Sequence, residues 1–184
     1  MWCPAFLERY INNNYGSKRG LLKAFKHNLL FRLGFYKRYS IQSLNFKPRR
    51  YVFVCAGNIC RSPLAEGVAK KLGVNTASFG LDTRGGDPAD PRAIAYAETI
   101  GINLKTHVTT RMGEFKPERG DVIIVMEPKH IEMYQALQPD APIVLLGLIG
   151  SKPYIQDPYS CNPLFFEKCE QQVAAFTSKV VNRG

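Results

Sequence analysis

Long apolar runs and signal segments are missing from this chain of 184 residues. No run is long enough to cross a bilayer, and the first ten residues, MWCPAFLERY, lack the basic-then-apolar order of a secretory signal peptide. The five cysteines show neither a disulfide framework nor paired CxxC zinc ligands; they are Cys3, Cys55, Cys60, Cys161 and Cys169. We therefore expect a cytoplasmic protein without a metal site.

Acidic residues are almost absent from the first fifty positions. That stretch has eleven lysines and arginines against one acid, Glu8, whereas the remainder has fourteen of each sign. The whole net charge of +10 therefore lies in the first fifty residues. This asymmetry predicts two parts: a basic, mainly helical extension over residues 1–48 and a domain over residues 49–184.

Apolar runs alternate with helical patterns after position 50. The predicted strands are 51–55 (YVFVC), 76–79, 121–126 (DVIIVM) and 142–146 (PIVLL). Three predicted helices begin with a capping residue followed by proline, at Ser62-Pro63, Asp90-Pro91 and Asn162-Pro163. A shorter helix is predicted from Pro128 to Gln138. The alternation predicts an α/β fold: a four-stranded parallel sheet flanked by helices on both faces.

The loop between the first strand and the next helix, CAGNICRS, has the composition of an anion site. Its backbone N–H groups lead directly into a helix N-terminus, which favours a phosphate-sized anion. Gly57 and Asn58 tolerate the positive φ that such a loop needs, and Arg61 can bind two phosphate oxygens. Beneath a bound phosphate, the thiol of Cys55 is expected to ionise readily beside Arg61 and act as a nucleophile.

The run CAGNICRSP, 55–63, resembles the phosphate-binding loop of the low-molecular-weight protein-tyrosine phosphatase family. The resemblance extends over residues 51–182 and includes SFGLDTRGGDPADPRA, HVTTR, DVIIVME and QDPYS. It implies a fold with a four-stranded parallel sheet, and hydrolysis of phosphotyrosine through a cysteinyl-phosphate without a cofactor. Among bacterial relatives it also implies a candidate substrate, a tyrosine kinase of surface-polysaccharide export.

The same resemblance assigns roles to individual residues. Cys55 would be the nucleophile, Arg61 the phosphate ligand, and Asp157 the general acid and then base. His107 would support the loop together with Asn58, and Ser62 would hydrogen-bond the thiolate. Phosphate and substrate contacts are expected from Ala56, Gly57, Asn58, Ile59, Cys60, Ser62, Arg84 and Tyr159.

Three positions leave alternatives open. Cys60 is placed to form a reversible disulfide with an oxidised Cys55, although a packed small side chain explains it equally well. Phe79 replaces the small residue of the family's SAG segment. Arg84 stands where relatives often have an apolar or aromatic residue, and we expect it to favour acidic peptides.

Other functions of the same fold are less consistent with the sequence. A thiol-dependent arsenate reductase needs a relay pair of cysteines before the acid loop, whereas Cys161 and Cys169 follow Asp157. A protein-arginine phosphatase has Thr where this chain has Ile59. A module that only binds phosphate would not need nucleophile, arginine and acid together.

The basic extension predicts a binding function of its own. Leu22, Phe25, Leu29 and Leu33 recur at helical spacing, with Phe35, Tyr36 and Tyr39 beyond them, while Lys23, Lys26, His27, Arg32 and Lys37 fall largely on the remaining face. Residues 18–39 therefore predict contact with an acidic membrane surface or an acidic partner, and a peripheral location at the inner membrane surface. The alternative is a helix packed on the domain with solvated lysines. Nucleic acid is not expected, because no nucleic-acid-binding motif accompanies the charge.

Overall fold

A four-stranded parallel sheet forms the centre of the molecule. The computed structural model describes residues 4–138 and 140–183, so Cys3 lies outside the described residues. The strand order is β2-β1-β3-β4, with β1 at Arg50–Cys55, β2 at Thr76–Gly80, β3 at Asp121–Val125 and β4 at Ile143–Leu145. All pairings are parallel, which confirms the predicted sheet. Because β2 and β3 lie on opposite sides of β1, the topological switch point is at the carboxyl ends of β1 and β3.

In the described residues, six α-helices accompany the sheet: α1 Ala5–Tyr15, α2 Lys18–Arg32, α3 Arg61–Lys71, α4 Pro91–Thr99, α5 Pro128–Gln135 and α6 Pro163–Val181. The predicted caps of α4 and α6 are confirmed, since Asp90 and Asn162 accept hydrogen bonds from the first-turn amides of Arg92 and Phe165. The predicted cap at Ser62 is wrong. Helix α3 begins at Arg61, two residues before the predicted first helical residue Pro63, and its N-cap position is Cys60, with no side-chain capping bond.

The sheet separates two hydrophobic clusters, as the two-residue period of a strand requires. Tyr51, Phe53 and Cys55 of β1 face a cluster that includes residues of α3, α4 and α6. Val52 and Val54 face the other cluster, which includes residues of α5. The prediction of helices on both faces is confirmed.

The second cluster also explains three aromatic positions, one in β2 and two in the extension. Phe79 of β2 is fully buried there and stacks on Phe115, with ring centroids 4.5 Å apart. Tyr36 and Tyr39, from the extension, are buried in the same cluster. Core contacts therefore cross the predicted boundary at residue 48, and the division into two domains stays a prediction.

Helix α2 packs on the rest of the protein through the face opposite the apolar residues that the sequence analysis identified. Its inward side includes Gly20, which is buried, and His27, whose ring stacks on Tyr154 at 5.4 Å and lies 2.7 Å from the Tyr36 hydroxyl. His27 therefore does not share the solvated face predicted for the lysines. Leu22 and Phe25 point outward instead. No helix of the described residues is long and apolar enough to span a bilayer.

We expect Tyr36→Ala to lower the free energy of unfolding by about 3 kcal/mol, because it removes a buried aromatic ring from the second cluster. The neighbouring Phe35 is 64% exposed, so Phe35→Ala is the matched control and should cost less than about 0.5 kcal/mol. Urea denaturation measures both. Equal destabilisation by the two variants would show that the extension does not complete the core.

Candidate active site

The loop after β1 turns at Asn58, which has a φ of 56°. Asparagine tolerates this left-handed region better than most residues. Gly57 was expected to share this role, but its φ is not positive. The turn brings Asn58 into the protein, where it is fully buried.

Every polar group of Asn58 has a partner. Its side-chain amide donates to Ser62 Oγ and Ser78 Oγ, both at 2.9 Å, and its Oδ1 accepts from the amide of Thr110 at 2.9 Å. Its carbonyl oxygen lies 2.8 Å from His107 Nε2, which must therefore carry the proton. The predicted neighbours Asn58 and His107 are in contact, and the loop is fixed to two other segments.

Cys55 ends β1 beneath this loop. Its sulfur lies 3.0 Å from Ser62 Oγ and accepts a hydrogen bond from the Asn58 amide at 3.3 Å. The residue is 2% exposed, so its sulfur lies at the bottom of the loop rather than on the surface. Two hydrogen-bond contacts thus reach the sulfur, one from the loop and one from the first turn of α3.

Arg61, the first residue of α3, is buried, and its guanidinium contacts two other segments, the end of β3 and residues 155–157. Nη1 donates to Glu127 Oε1 at 2.7 Å and to the carbonyl oxygen of Ile155 at 2.9 Å. Nη2 lies 3.2 Å from Asp157 Oδ2. Burial works against the charged form, but the carboxylates of Asp157 and Glu127 raise the pKa of Arg61, so the guanidinium stays charged.

Several donors around the loop have no partner among the described residues. Arg61 Nε is buried and makes no hydrogen bond there. The backbone N–H groups of Gly57, Ile59, Cys60 and Arg61 also make no hydrogen bond to a described residue. Buried donors in proteins nearly always have partners. Five unpartnered donors at a helix N-terminus form a site for an oxyanion.

The segment that carries Asp157 is held against the loop from one side by Arg92. Its guanidinium donates to the carbonyl oxygens of Tyr159 and Cys161, at 2.6 and 3.3 Å. The backbone amide of Tyr159 donates to Asp157 Oδ1 at 3.2 Å. These contacts orient a carboxylate that remains about half exposed.

The N-terminal helices support the same segment from the other side. Gln156 Nε2 lies 3.5 Å from Ser17 Oγ, and the Gln156 side chain lies so close to Gly20 that a Cβ there would be 1.8 Å from Oε1. A glycine at this point of α2 is what allows the helix to approach the acid segment. The extension therefore contacts the residue directly before Asp157.

A groove of about 480 Å³ lies beside the loop and is lined by Gly57, Ile59 and 81–84 together with Asp87. Arg84 lies in this groove, and its contact with substrate stays a prediction. It shares the groove with the carboxylates of Asp82 and Asp87. Tyr159 is exposed but does not line the groove.

Cys60 lies in a site that favours the neutral thiol. Burial, and next the charge of Glu170, raise its pKa. Glu170 itself is buried without a partner among the described residues, and burial raises its pKa to about 8. Burial also raises the pKa values of Cys161 and Cys169, which disfavours the thiolates that an arsenate relay needs. Within the described part of the chain, no three His, Cys, Asp or Glu side chains are placed to hold a metal ion.

Glu127 is a site residue that the sequence reasoning missed. It follows the carboxyl end of β3, directly across the switch point from Cys55, and compensates the charge of Arg61. The neighbouring His130 is neutral, because burial and the Arg61 charge lower its pKa to about 3. A carboxylate directly after an apolar strand, DVIIVME, was the available signal.

Comparison with known proteins agrees with this geometry. Residues 50–182 match the model of the low molecular weight phosphotyrosine protein phosphatase family. The chain belongs to that family. The match covers the sheet, the loop and the acid segment but begins after the basic extension.

The similar proteins are bacterial phosphatases. The low molecular weight protein-tyrosine-phosphatase Wzb of Salmonella typhi is 32% identical over 114 residues, covering 60% of this chain and 76% of Wzb. The crystal structure of the Erwinia amylovora tyrosine phosphatase AmsI is 30% identical with a TM-score of 0.69, covering 75% of this chain and 94% of AmsI. Wzb from Escherichia coli K30, solved with sulphate, is 28% identical with a TM-score of 0.66, and the match covers 74% of this chain and 98% of that Wzb.

We expect Asn58→Ala to lower the free energy of unfolding by about 3 kcal/mol, because Ser62, Ser78 and Thr110 would each lose a partner and alanine disfavours a positive φ. It should also weaken phosphate binding at least about tenfold by loosening the loop. Calorimetry measures both quantities. Asn75→Ala, at an exposed position whose side chain makes no hydrogen bond to a described residue, is the control. Unchanged phosphate affinity in Asn58→Ala would contradict this account of the loop.

Proposed function

We propose that this protein hydrolyses phosphotyrosine in proteins through a cysteinyl-phosphate intermediate at Cys55. The observation that carries the proposal is the set of unpartnered donors, Arg61 Nε and the loop amides, in the same loop whose Asn58 amide lies 3.3 Å from the Cys55 sulfur. A phosphate ester in this position would place its phosphorus next to the sulfur. Wzb from Escherichia coli K30 was solved with sulphate, an anion of the same shape.

The first step is attack of the Cys55 thiolate on phosphorus, with the phenolic oxygen of tyrosine leaving. Charge on the equatorial phosphate oxygens is stabilised by the loop amides and by the Arg61 guanidinium. Asp157 donates a proton to the leaving oxygen, since expulsion of an unprotonated phenolate is slow at neutral pH. Its carboxylate lies beside Arg61, the group that holds the phosphate.

The second step is hydrolysis of the cysteinyl-phosphate. Asp157, now ionised, takes a proton from the attacking water, and the S–P bond breaks to release inorganic phosphate and the thiolate. Ser62 Oγ and the Asn58 amide, both within hydrogen-bond distance of the sulfur, stabilise the thiolate as it leaves. The same set of groups therefore serves both steps.

Replacing the nucleophile and the acid tests this proposal. Cys55→Ser should show no turnover above background, whereas Cys161→Ser, at a half-buried cysteine next to the acid segment, should remain active. Asp157→Ala should slow hydrolysis of phenyl phosphate about 10²–10⁴-fold, and hydrolysis of p-nitrophenyl phosphate much less, because nitrophenolate leaves without protonation. Steady-state kinetics on both esters measures this.

The control for the acid is Asp82→Ala, which removes a carboxylate from the neighbouring groove. This variant should lower the rate of hydrolysis of both esters to a similar, small extent. An active Cys55→Ser variant, or equal slowing of the two esters by Asp157→Ala, would be incompatible with the mechanism.

A tyrosine kinase of surface-polysaccharide export is the proposed protein substrate, and the cytoplasm the proposed location. Both rest on the likeness to bacterial tyrosine phosphatases such as Wzb and AmsI. We also propose that residues 18–39 contact an acidic membrane surface or an acidic partner. The basic charge of the extension supports this.

Arg84 is proposed to favour peptides with acidic residues near the phosphotyrosine, although Asp82 and Asp87 in the same groove oppose this effect. Arg84→Leu should lower kcat/KM for an acid-flanked phosphopeptide by about three- to tenfold, the effect of one exposed charge, with little change for p-nitrophenyl phosphate. Raised ionic strength should reduce the difference between peptides. An equal loss on both substrates would rule out a role in peptide selection.

A further inference from the structure

The outward side of α2 carries a continuous apolar stripe. At about 100° per residue, Leu22, Phe25, Leu29 and Leu33 fall within an arc of about 80°. Their exposed fractions are 69, 70, 50 and 65%. Such side chains are normally scattered singly over a protein surface, so four in one row indicate an interaction site.

Basic side chains border this stripe on both sides. On the same helical projection, Arg19 and Lys26 lie along one edge and Arg32 along the other, and all three are exposed. The sequence of α2, KRGLLKAFKHNLLFR, contains no acid. The stripe is therefore an apolar band bordered by the cations of α2, and a nearby acid, Glu8 of α1, pairs with Lys18 at 3.3 Å.

The opposite side of α2 fixes this orientation. Gly20 lies against Gln156, the His27 ring stacks on Tyr154, and Leu30 and Phe31 pack against the second hydrophobic cluster. Rotating the helix to bury the stripe would remove these contacts. The apolar stripe is thus held outward by the fold itself.

We infer that the outward face of α2 docks on an anionic lipid surface, with Leu22, Phe25, Leu29 and Leu33 entering the interface and the flanking cations contacting lipid phosphates. A convex helix with an apolar band and basic edges matches the boundary between head groups and acyl chains. A second copy of this chain would bring two positive surfaces together. A nucleic acid would pair with the cations but leave the leucines and the phenylalanine in water.

Membrane docking is independent of the proposed reaction and adds a second function to the chain. The stripe is formed by α2, whereas the reaction is assigned to the loop after β1. Docking would hold the phosphatase close to phosphorylated proteins at the same membrane surface. Its failure would leave the proposed chemistry untouched, because hydrolysis is measured separately.

Co-sedimentation of the full chain with vesicles tests the inference. We expect binding to vesicles of phosphatidylcholine mixed with phosphatidylglycerol and none to phosphatidylcholine alone. Phe25→Ser combined with Leu29→Ser should weaken binding at least about tenfold, and Lys26→Glu about ten- to thirtyfold, since each interfacial charge contributes about a fivefold change. Raised salt should weaken binding of the wild type.

Leu137→Ser is the matched control, because Leu137 is 62% exposed but lies outside the extension. It should bind like the wild type, and all variants should hydrolyse p-nitrophenyl phosphate at the wild-type rate, which shows that they are folded. The inference is overturned if the wild type binds neither vesicle, or if the double variant binds as tightly as the wild type. A dimer that the double variant dissociates, without vesicle binding, would identify the face as a contact between copies instead.

Discussion

The buried charge of Arg61 is the constraint on which the site depends. A guanidinium without solvent must be compensated, and its partners come from the end of β3 and from the segment at 155–157. Losing one partner of a buried ion pair typically costs about 3–5 kcal/mol. The helix start, the strand end and the acid segment are thus held in one arrangement by a single side chain.

That arrangement leaves one nitrogen of the guanidinium, Nε, available. Glu127 and the Ile155 carbonyl occupy Nη1, whereas Nε has no partner among the described residues. The interaction that orients Arg61 is therefore different from the interaction proposed for phosphate. Asn58 has a corresponding position in the loop. Its side chain hydrogen-bonds to neighbouring segments, whereas the backbone amides around it have no partner among the described residues. If the proposed reaction takes place here, both residues would hold the site in place before substrate binds, and preorganised donors lower the reorganisation needed during reaction.

The extension contributes both to the core and to the surroundings of the acid segment. Tyr36 and Tyr39 fill the second hydrophobic cluster, and Ser17 and Gly20 contact Gln156 next to Asp157. The same helix that touches the acid segment presents the apolar stripe on its outer side. A surface bound to that stripe would be one helix diameter, about 10 Å, from the acid segment.

The sequence was sufficient to predict the parallel sheet and three of the helix starts, at Pro91, Pro128 and Pro163. Unbroken apolar runs between helical patterns have few alternatives to a parallel sheet, and proline after Asp90 or Asn162 restricts where a helix begins. Ser62 is also followed by proline, but it does not cap a helix, because its hydroxyl hydrogen-bonds to Cys55 and Asn58 instead.

Tertiary contacts decided what the sequence could not. The spacing of Leu22, Phe25, Leu29 and Leu33 predicted one helical face correctly, but not that the opposite face would pack. That choice depends on the fit of Gly20 against Gln156 and of His27 between Tyr36 and Tyr154. Glu127 was missed for a similar reason, since its importance follows from the distance to Arg61 rather than from a local pattern.

The most direct test of the central claim is to trap the intermediate. Asp157→Ala protein, quenched with acid during turnover of p-nitrophenyl phosphate, should yield by mass spectrometry one phosphorylated peptide, with the phosphate on Cys55. The same peptide should be unmodified when Cys55 is also replaced by alanine. Phosphate on another residue, or turnover that persists without Cys55, would contradict the account.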